Sequence, residues 1–201
     1  MKRILLIISL LFISVSYGQE SKSEKDALKF QSKLNKEFAS SEKSPLTEED
    51  LKSFKSLDFF PVDSNFRVTA QLKFHKDSKS FKMKTTTDRL PVYKLYATAT
   101  FNIKGVAYDL EIYQNQKLLL TDDFEDYLFL PFTDKTNAVT SYGGGRYIDL
   151  NIPEGDTIII DFNKAYNPYC AYNGKYSCPI PPKVNHLDIE VNAGVKAYGE
   201  H

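Results

Sequence analysis

The sequence predicts a mainly β protein: an antiparallel β-sandwich or barrel-like sheet with one or two N-terminal helices. Three observations carry this reading. Apolar residues recur at helical spacing only before residue 60. From Phe66 the period shortens to two and stays there. Short alternating segments then follow one another across short turns, as they do in sandwiches and barrels.

The chain begins with a leader. Met1-Lys2-Arg3 is a positive n-region, Ile4 to Ile13 is apolar apart from Ser9, and Ser16 and Gly18 place small residues at −3 and −1 of a cut before Gln19. This is the pattern of a secretory signal peptide over residues 1–18. The apolar run is short of the roughly 20 residues that span a bilayer. No cysteine lies near the cut to carry a lipid. The expectation is an exported bacterial protein, periplasmic or secreted, with no transmembrane segment once the leader is gone. Loss of Lys2 and Arg3 turns a formal net charge of zero into an excess of two acidic residues. That balance gives no electrostatic footprint for nucleic acid or an anionic membrane.

Residues 19–44 form a charged helical preamble and linker. Ala27, Phe30, Leu34 and Phe38 make an apolar stripe, and Ser40, Ser41, Ser44 and Pro45 end it. A second helix starts at Thr47, an N-cap residue followed by Glu48, Glu49 and Asp50. It buries Leu51, Phe54 and Leu57 and stops at Phe60-Pro61. Residues 45–201 form a single β-rich domain. Phe66 to Phe74, Phe81 to Met83, Tyr93 to Ile103 and Val106 to Ile112 alternate apolar with polar positions, and Lys104-Gly105 is a two-residue turn. Further short strands are predicted at 118–120, 128–132, 147–150, 157–162 and 187–191. Thirteen Tyr and fourteen Phe, with no Trp, suit strands and half-wet pockets.

Three runs in this domain resemble a known family. They are FFPVDSNFRV (59–68), SYGGGRYIDL (141–150) and DFNKAYNPYCAYNGKYSCPIPPKVNHL (161–187). The chain is similar over about residues 45–198 to domain of unknown function 1684, whose members are bacterial and often exported. The resemblance implies no reaction, cofactor or catalytic residue, so none is carried over. The leader and preamble look like an addition peculiar to exported members.

The stretch Ser141 to Asn185 holds the candidate sites. Cys170 and Cys178 are the only cysteines, and in an exported chain an even pair reads first as a disulfide. Two free thiols are the alternative, because flanking prolines can hold the sulfurs apart. A metal site with the evenly spaced His186 is the third reading, although structural zinc sites take four ligands at closer spacing. No metal site and no cofactor is therefore expected.

Tyr142, Gly144 and Arg146 form a glycine turn whose backbone N–H groups and cation would suit an anion. It is not a P-loop, since a strand follows and Lys-Ser/Thr is missing. The plainer reading pairs Arg146 with an acid such as Asp149 or Asp161. Asp161, Asn163, Tyr166, Asn167 and Tyr172 form a polar-aromatic cluster suited either to a sugar or peptide ligand or to satisfying an irregular loop.

No catalytic motif is present. His75 lies in a turn, His201 is terminal, and Asp122, Asp123, Glu125 and Asp126 lack the spacing of a calcium loop. Two functions follow as expectations. One is a non-catalytic domain binding an unknown small ligand or envelope protein through Tyr142–Arg146 and Asp161–Tyr172. The other is an envelope hydrolase centred on Arg146 and Asp161, or on Asp149 with Asp161.

Overall fold

The computed structural model describes residues 21–199. The expected leader, the expected cut before Gln19 and His201 lie outside the described residues. Eight strands form one sheet, curled into a half-barrel rather than split into a sandwich. They are β1 (Arg67–Phe74), β2 (Phe81–Lys82), β3 (Val92–Ile103), β4 (Val106–Asn115), β5 (Tyr127–Asp134), β6 (Arg146–Asn151), β7 (Thr157–Asp161) and β8 (His186–Leu187). The order β6-β5-β4-β3-β1-β7 is antiparallel throughout. β2 pairs with β3, and β8 runs parallel to β5. Lys104 and Gly105 both take positive φ (51° and 82°) in the tight turn from β3 to β4, the geometry that matches strand twist.

Alternation supplies the core. Val68, Ala70 and Leu72 of β1 pack with Ala97, Ala99 and Phe101 of β3, Leu110 and Ile112 of β4, and Leu128, Leu130 and Phe132 of β5. The alternation of β3 is broken once. Leu95 faces Tyr113 but Ala97 faces Ile112, so Tyr96 is the extra residue of a β-bulge. A bulge reverses which face the preceding residues use. Tyr93 and Leu95, expected in the core with Ala97 and Ala99, instead join Met83, Tyr113, Phe129 and Tyr147 on the opposite face.

β5 needs outside help to stay in the sheet. Pro131 has no N–H to give, so an interior strand loses a ladder bond there. The side chain of Asn185, fully buried, spans the gap. Its Oδ1 accepts from Glu111 N at 2.8 Å, and its Nδ2 donates to Glu111 O at 2.8 Å and to Pro131 O at 2.7 Å. The predicted strand at 118–120 is instead a 3-10 turn, with Leu120 exposed and no partner strand.

Two helices precede the sheet. α1 (Lys22–Phe38) is capped by Ser21, whose hydroxyl accepts from Glu24 N. α2 (Glu48–Ser53) is capped by Thr47 in the same way from Asp50 N. α1 docks on the rest of the fold. Leu34 and Phe38 pack with Leu46, Leu57, Tyr172 and Val195, while Gln31 donates to Asn163 O at 3.2 Å. Phe38→Ala should therefore destabilise the whole domain by about 3–5 kcal/mol. Urea unfolding checks this, and a loss below about 1 kcal/mol would show that α1 is only loosely attached.

Candidate functional site

β6 divides the chemistry of the signature region between its two faces. Arg146, Ile148 and Leu150 face the core, while Tyr147 and Asp149 face the other way. On the inner face Arg146 is 0% exposed and donates to Asp134 Oδ2 at 2.8 Å. Further donors go to the carbonyls of Val191 and Ala193, Nε is left without a partner, and the guanidinium lies over the ring of Phe132, 5.3 Å from the centroid. Asp134 Oδ1 accepts from Thr136 N, Thr136 Oγ1 and Val191 N. Burial lowers the Arg146 pKa, and Asp134 opposes the shift. Arg146 thus clamps β5, β6 and the C-terminal segment together, and no ligand reaches it. Its acid is Asp134, not Asp149 or Asp161.

The glycines before Arg146 are fitted to that clamp. Gly145 has φ +88°, and a Cβ there would stand 2.6 Å from Phe132 O. Gly145 N already donates to Tyr142 O, so this amide does not await an anion. A Cβ on Gly144 would meet the Tyr142 ring at 2.5 Å.

Most of the polar-aromatic cluster also holds backbone. Asp161 caps a 3-10 turn, accepting from Asn163 N and Nδ2, and stands 3.7 Å from Arg67 Nε. Asn163 brackets both the N–H and the carbonyl of Asp63 at 2.9 Å. Asn167 donates to Lys196 O. Tyr172 packs on Phe38 and Tyr198 in the helix-side core. Arg146 and Asp161 do not meet in a cleft, so the hydrolase built on them loses its geometry.

The expected disulfide is not formed. Cys170 and Cys178 are free thiols, the first half-buried and the second buried. Cys170 sits on a 3-10 turn, while Thr86 anchors Cys178 through its N–H and carbonyl. The contact recorded between the two residues is a hydrogen bond, with Cys170 N donating to Cys178 Sγ at 3.2 Å. The Cys178 thiol, foremost, and Tyr142 hold the Cys170 pKa down to about 6, against the effect of burial. The Cys178 pKa is raised. His186 hydrogen-bonds Thr133, and among the described residues no trio of His, Cys, Asp or Glu is gathered for a metal ion.

The outer face of β6 opens on a cleft of about 930 Å³. Tyr93, Phe129, Tyr147 and Asp149 lie on the sheet. Phe30 and Leu34 of α1 stand on one side, and Arg89 to Val92 and Tyr176 to Pro179 on others. The rings are set across one another. Phe129 and Tyr147 are 4.8 Å apart at 73°, and Tyr147 and Tyr166 5.9 Å apart at 90°. The Tyr147 hydroxyl is tied to Pro179 O. Tyr127 and Tyr166 both donate to Asp149 Oδ1, at 2.7 and 2.6 Å.

Oδ2 of Asp149 accepts no hydrogen bond, and no cation of the described residues pairs with the carboxylate. Asp149 lines the cleft and is exposed to solvent there. Desolvation raises its pKa, and the hydrogen bonds from Tyr166 and Tyr127 work against that shift. Burial likewise raises the pKa of Tyr127, Tyr147 and Tyr166, so all three stay neutral donors. Of the residues expected to bind ligand, Tyr166 alone belongs to this cleft. Sequence reasoning named Asp149 only as a partner for Arg146 or Asp161. Its alternation with Arg146 along β6 was the available signal.

A family profile described as a protein of unknown function, DUF1684, matches residues 52–196. The chain belongs to this family. The DUF1684 match begins after α1 and covers every strand of the sheet. Among solved structures, the chain is similar to the solution NMR structure of an uncharacterized protein of Haloarcula marismortui. The two are 34% identical with a TM-score of 0.69, over 89% of this chain and 96% of that one. That relative is archaeal, so the likeness lends no support to a bacterial origin. No curated protein matches the chain.

Two substitutions separate clamp from cleft. Asp134→Asn leaves a buried guanidinium uncompensated and should cost about 3–5 kcal/mol. Asp149 has a folded pKa above the ordinary value of an aspartate in the unfolded chain. Its contribution to stability is therefore greatest below that value and is lost as pH rises through the folded pKa. At neutral pH Asp149→Asn should leave stability unchanged or raise it, since the amide oxygen still accepts from both tyrosines. Unfolding midpoints at pH 7 check both, and an equal loss in each variant would contradict the division of roles. For the thiols, iodoacetamide at pH 7 should label Cys170 well ahead of Cys178, as read by peptide mass mapping.

Proposed function

We propose that this DUF1684 protein is exported and binds a small ligand, without catalysis, in the tyrosine-walled cleft over β6. The observation that carries the reading is Asp149. It stands in a concave, largely aromatic cleft, held by two tyrosines and left with an oxygen for something else. A cavity of this size with few polar groups in fixed positions is the usual form of a small-molecule site. Concavity favours a small ligand over an envelope protein as the occupant. Export rests on the leader-like residues 1–18; no helix of the described residues is long and apolar enough to cross a membrane.

The hydrolase alternative is weakened by the separation of Arg146 from Asp161. A two-carboxylate mechanism would need a second acid facing Asp149, and the other acid of the cleft, Glu37 on α1, stands 3.8 Å from Lys33.

Expression of the full chain in a bacterial host, followed by native mass spectrometry of the exported fraction, tests the proposal. The expected species begins at Gln19 and takes up a small molecule from envelope extract at one per chain. Val92→Trp, which fills the cleft from an exposed position, should remove that uptake while leaving the circular dichroism unchanged. Uptake that survives Val92→Trp would sink the cleft as the site. A mature chain that keeps Met1 would sink export.

A further inference from the structure

The cleft also indicates what kind of ligand it would hold, an inference that rests on the small-ligand reading above. Its chemistry is unbalanced. Asp149 is the one carboxylate on the sheet side of the cleft, and Oδ2 has no protein partner. The cations that line the cleft, Lys33, Arg89 and Lys117, are all exposed, and none of them pairs with Asp149. Arg89 donates to Ser177 O at 2.5 Å and to Ser177 Oγ at 3.1 Å, and Lys33 lies 3.8 Å from Glu37 on α1.

A carboxylate on the sheet side of a cleft, with one oxygen unpartnered, favours a cation seated beside it. Tyr127 and Tyr166 supply two donors, both to Oδ1. The same lining holds the rings of Tyr93, Tyr127, Tyr147 and Tyr166, and Tyr147 stands at right angles to Tyr166. Ring faces carry partial negative charge and attract an organic cation within about 6 Å of the centroid. An anion would meet the same faces and the same carboxylate unfavourably. A neutral polyol would gain one hydrogen bond to Oδ2 and leave the charge uncompensated.

We infer that the cleft recognises an organic cation, an amine or quaternary ammonium group on an apolar body, with the cation beside Asp149 and enclosed by the tyrosine rings. Tyr127 and Tyr166 are positioning residues, since they fix the carboxylate by holding one oxygen and leaving the other. The bulge at Tyr96 serves the same end by turning Tyr93 toward the cleft instead of the core.

Calorimetric titration of the mature protein with choline and with 3,3-dimethyl-1-butanol, its uncharged isostere, tests this. Size and shape are matched, so the comparison isolates the charge. Choline should bind roughly tenfold or more tightly than the alcohol. Asp149→Asn should bring the ratio down to within about threefold, chiefly by weakening choline. Equal affinities in the unaltered protein would overturn the cation assignment and leave the cleft as a binding site. Binding of neither probe, together with no uptake from envelope extract, would remove the cleft reading itself. Because the unaltered protein alone discriminates the two probes, a failure of Asp149→Asn to fold would not rescue the inference.

Discussion

The buried pair of Arg146 and Asp134 is the constraint on which the signature region depends. Removing two charges from water is costly, and the attraction between them offsets that only when the remaining donors and acceptors are satisfied. Here nearly all are. Asp134 takes four hydrogen bonds, and Arg146 adds two backbone carbonyls from the C-terminal segment. A guanidinium cannot escape by losing its proton, so the pair must form with every partner in place. The C-terminal segment is thereby drawn onto the ends of β5 and β6, and the direction in which each β6 side chain points is set.

That setting creates the cleft. Residues of a strand alternate faces, so Arg146 on the core side puts Tyr147 and Asp149 on the other. A slip of one residue would bury Asp149 and expose Arg146, an exchange of two charges that the core would not tolerate. The bulge at Tyr96 makes the complementary adjustment on β3, and Asn185 keeps β5 attached across Pro131. The odd composition of residues 141–185 thus divides in two. Its glycines, asparagines and arginine hold irregular backbone, whereas Tyr147, Asp149, Tyr166 and the Tyr176–Pro179 segment border a space.

The mainly β class and most strands were legible because alternation is a local signal. So were the cap at Thr47 and the turn at Lys104-Gly105. What escaped was non-local. Asp134 lies twelve residues before Arg146 with nothing local to join them, and the nearer acids Asp149 and Asp161 drew attention instead. The bulge was invisible because Tyr93 to Ile103 alternates without a break in the sequence. Leu118 to Leu120 is apolar and short, yet finds no partner strand. The docking of α1 beside the cleft depended on tertiary contacts that its stripe could announce but not direct.

The central claim is that ligand chemistry sits on the Asp149 face of β6 and architecture on the Arg146 face. Backbone and tyrosine-ring NMR of the isotope-labelled mature protein, recorded while a small cationic ligand is titrated in, tests it most directly. The account predicts saturable shifts centred on Tyr93, Tyr127, Phe129, Tyr147, Asp149 and Tyr166, with Asp134 and the turn Tyr142–Arg146 unmoved. Shifts centred on Tyr142–Arg146 and Asp161–Tyr172 instead would contradict it.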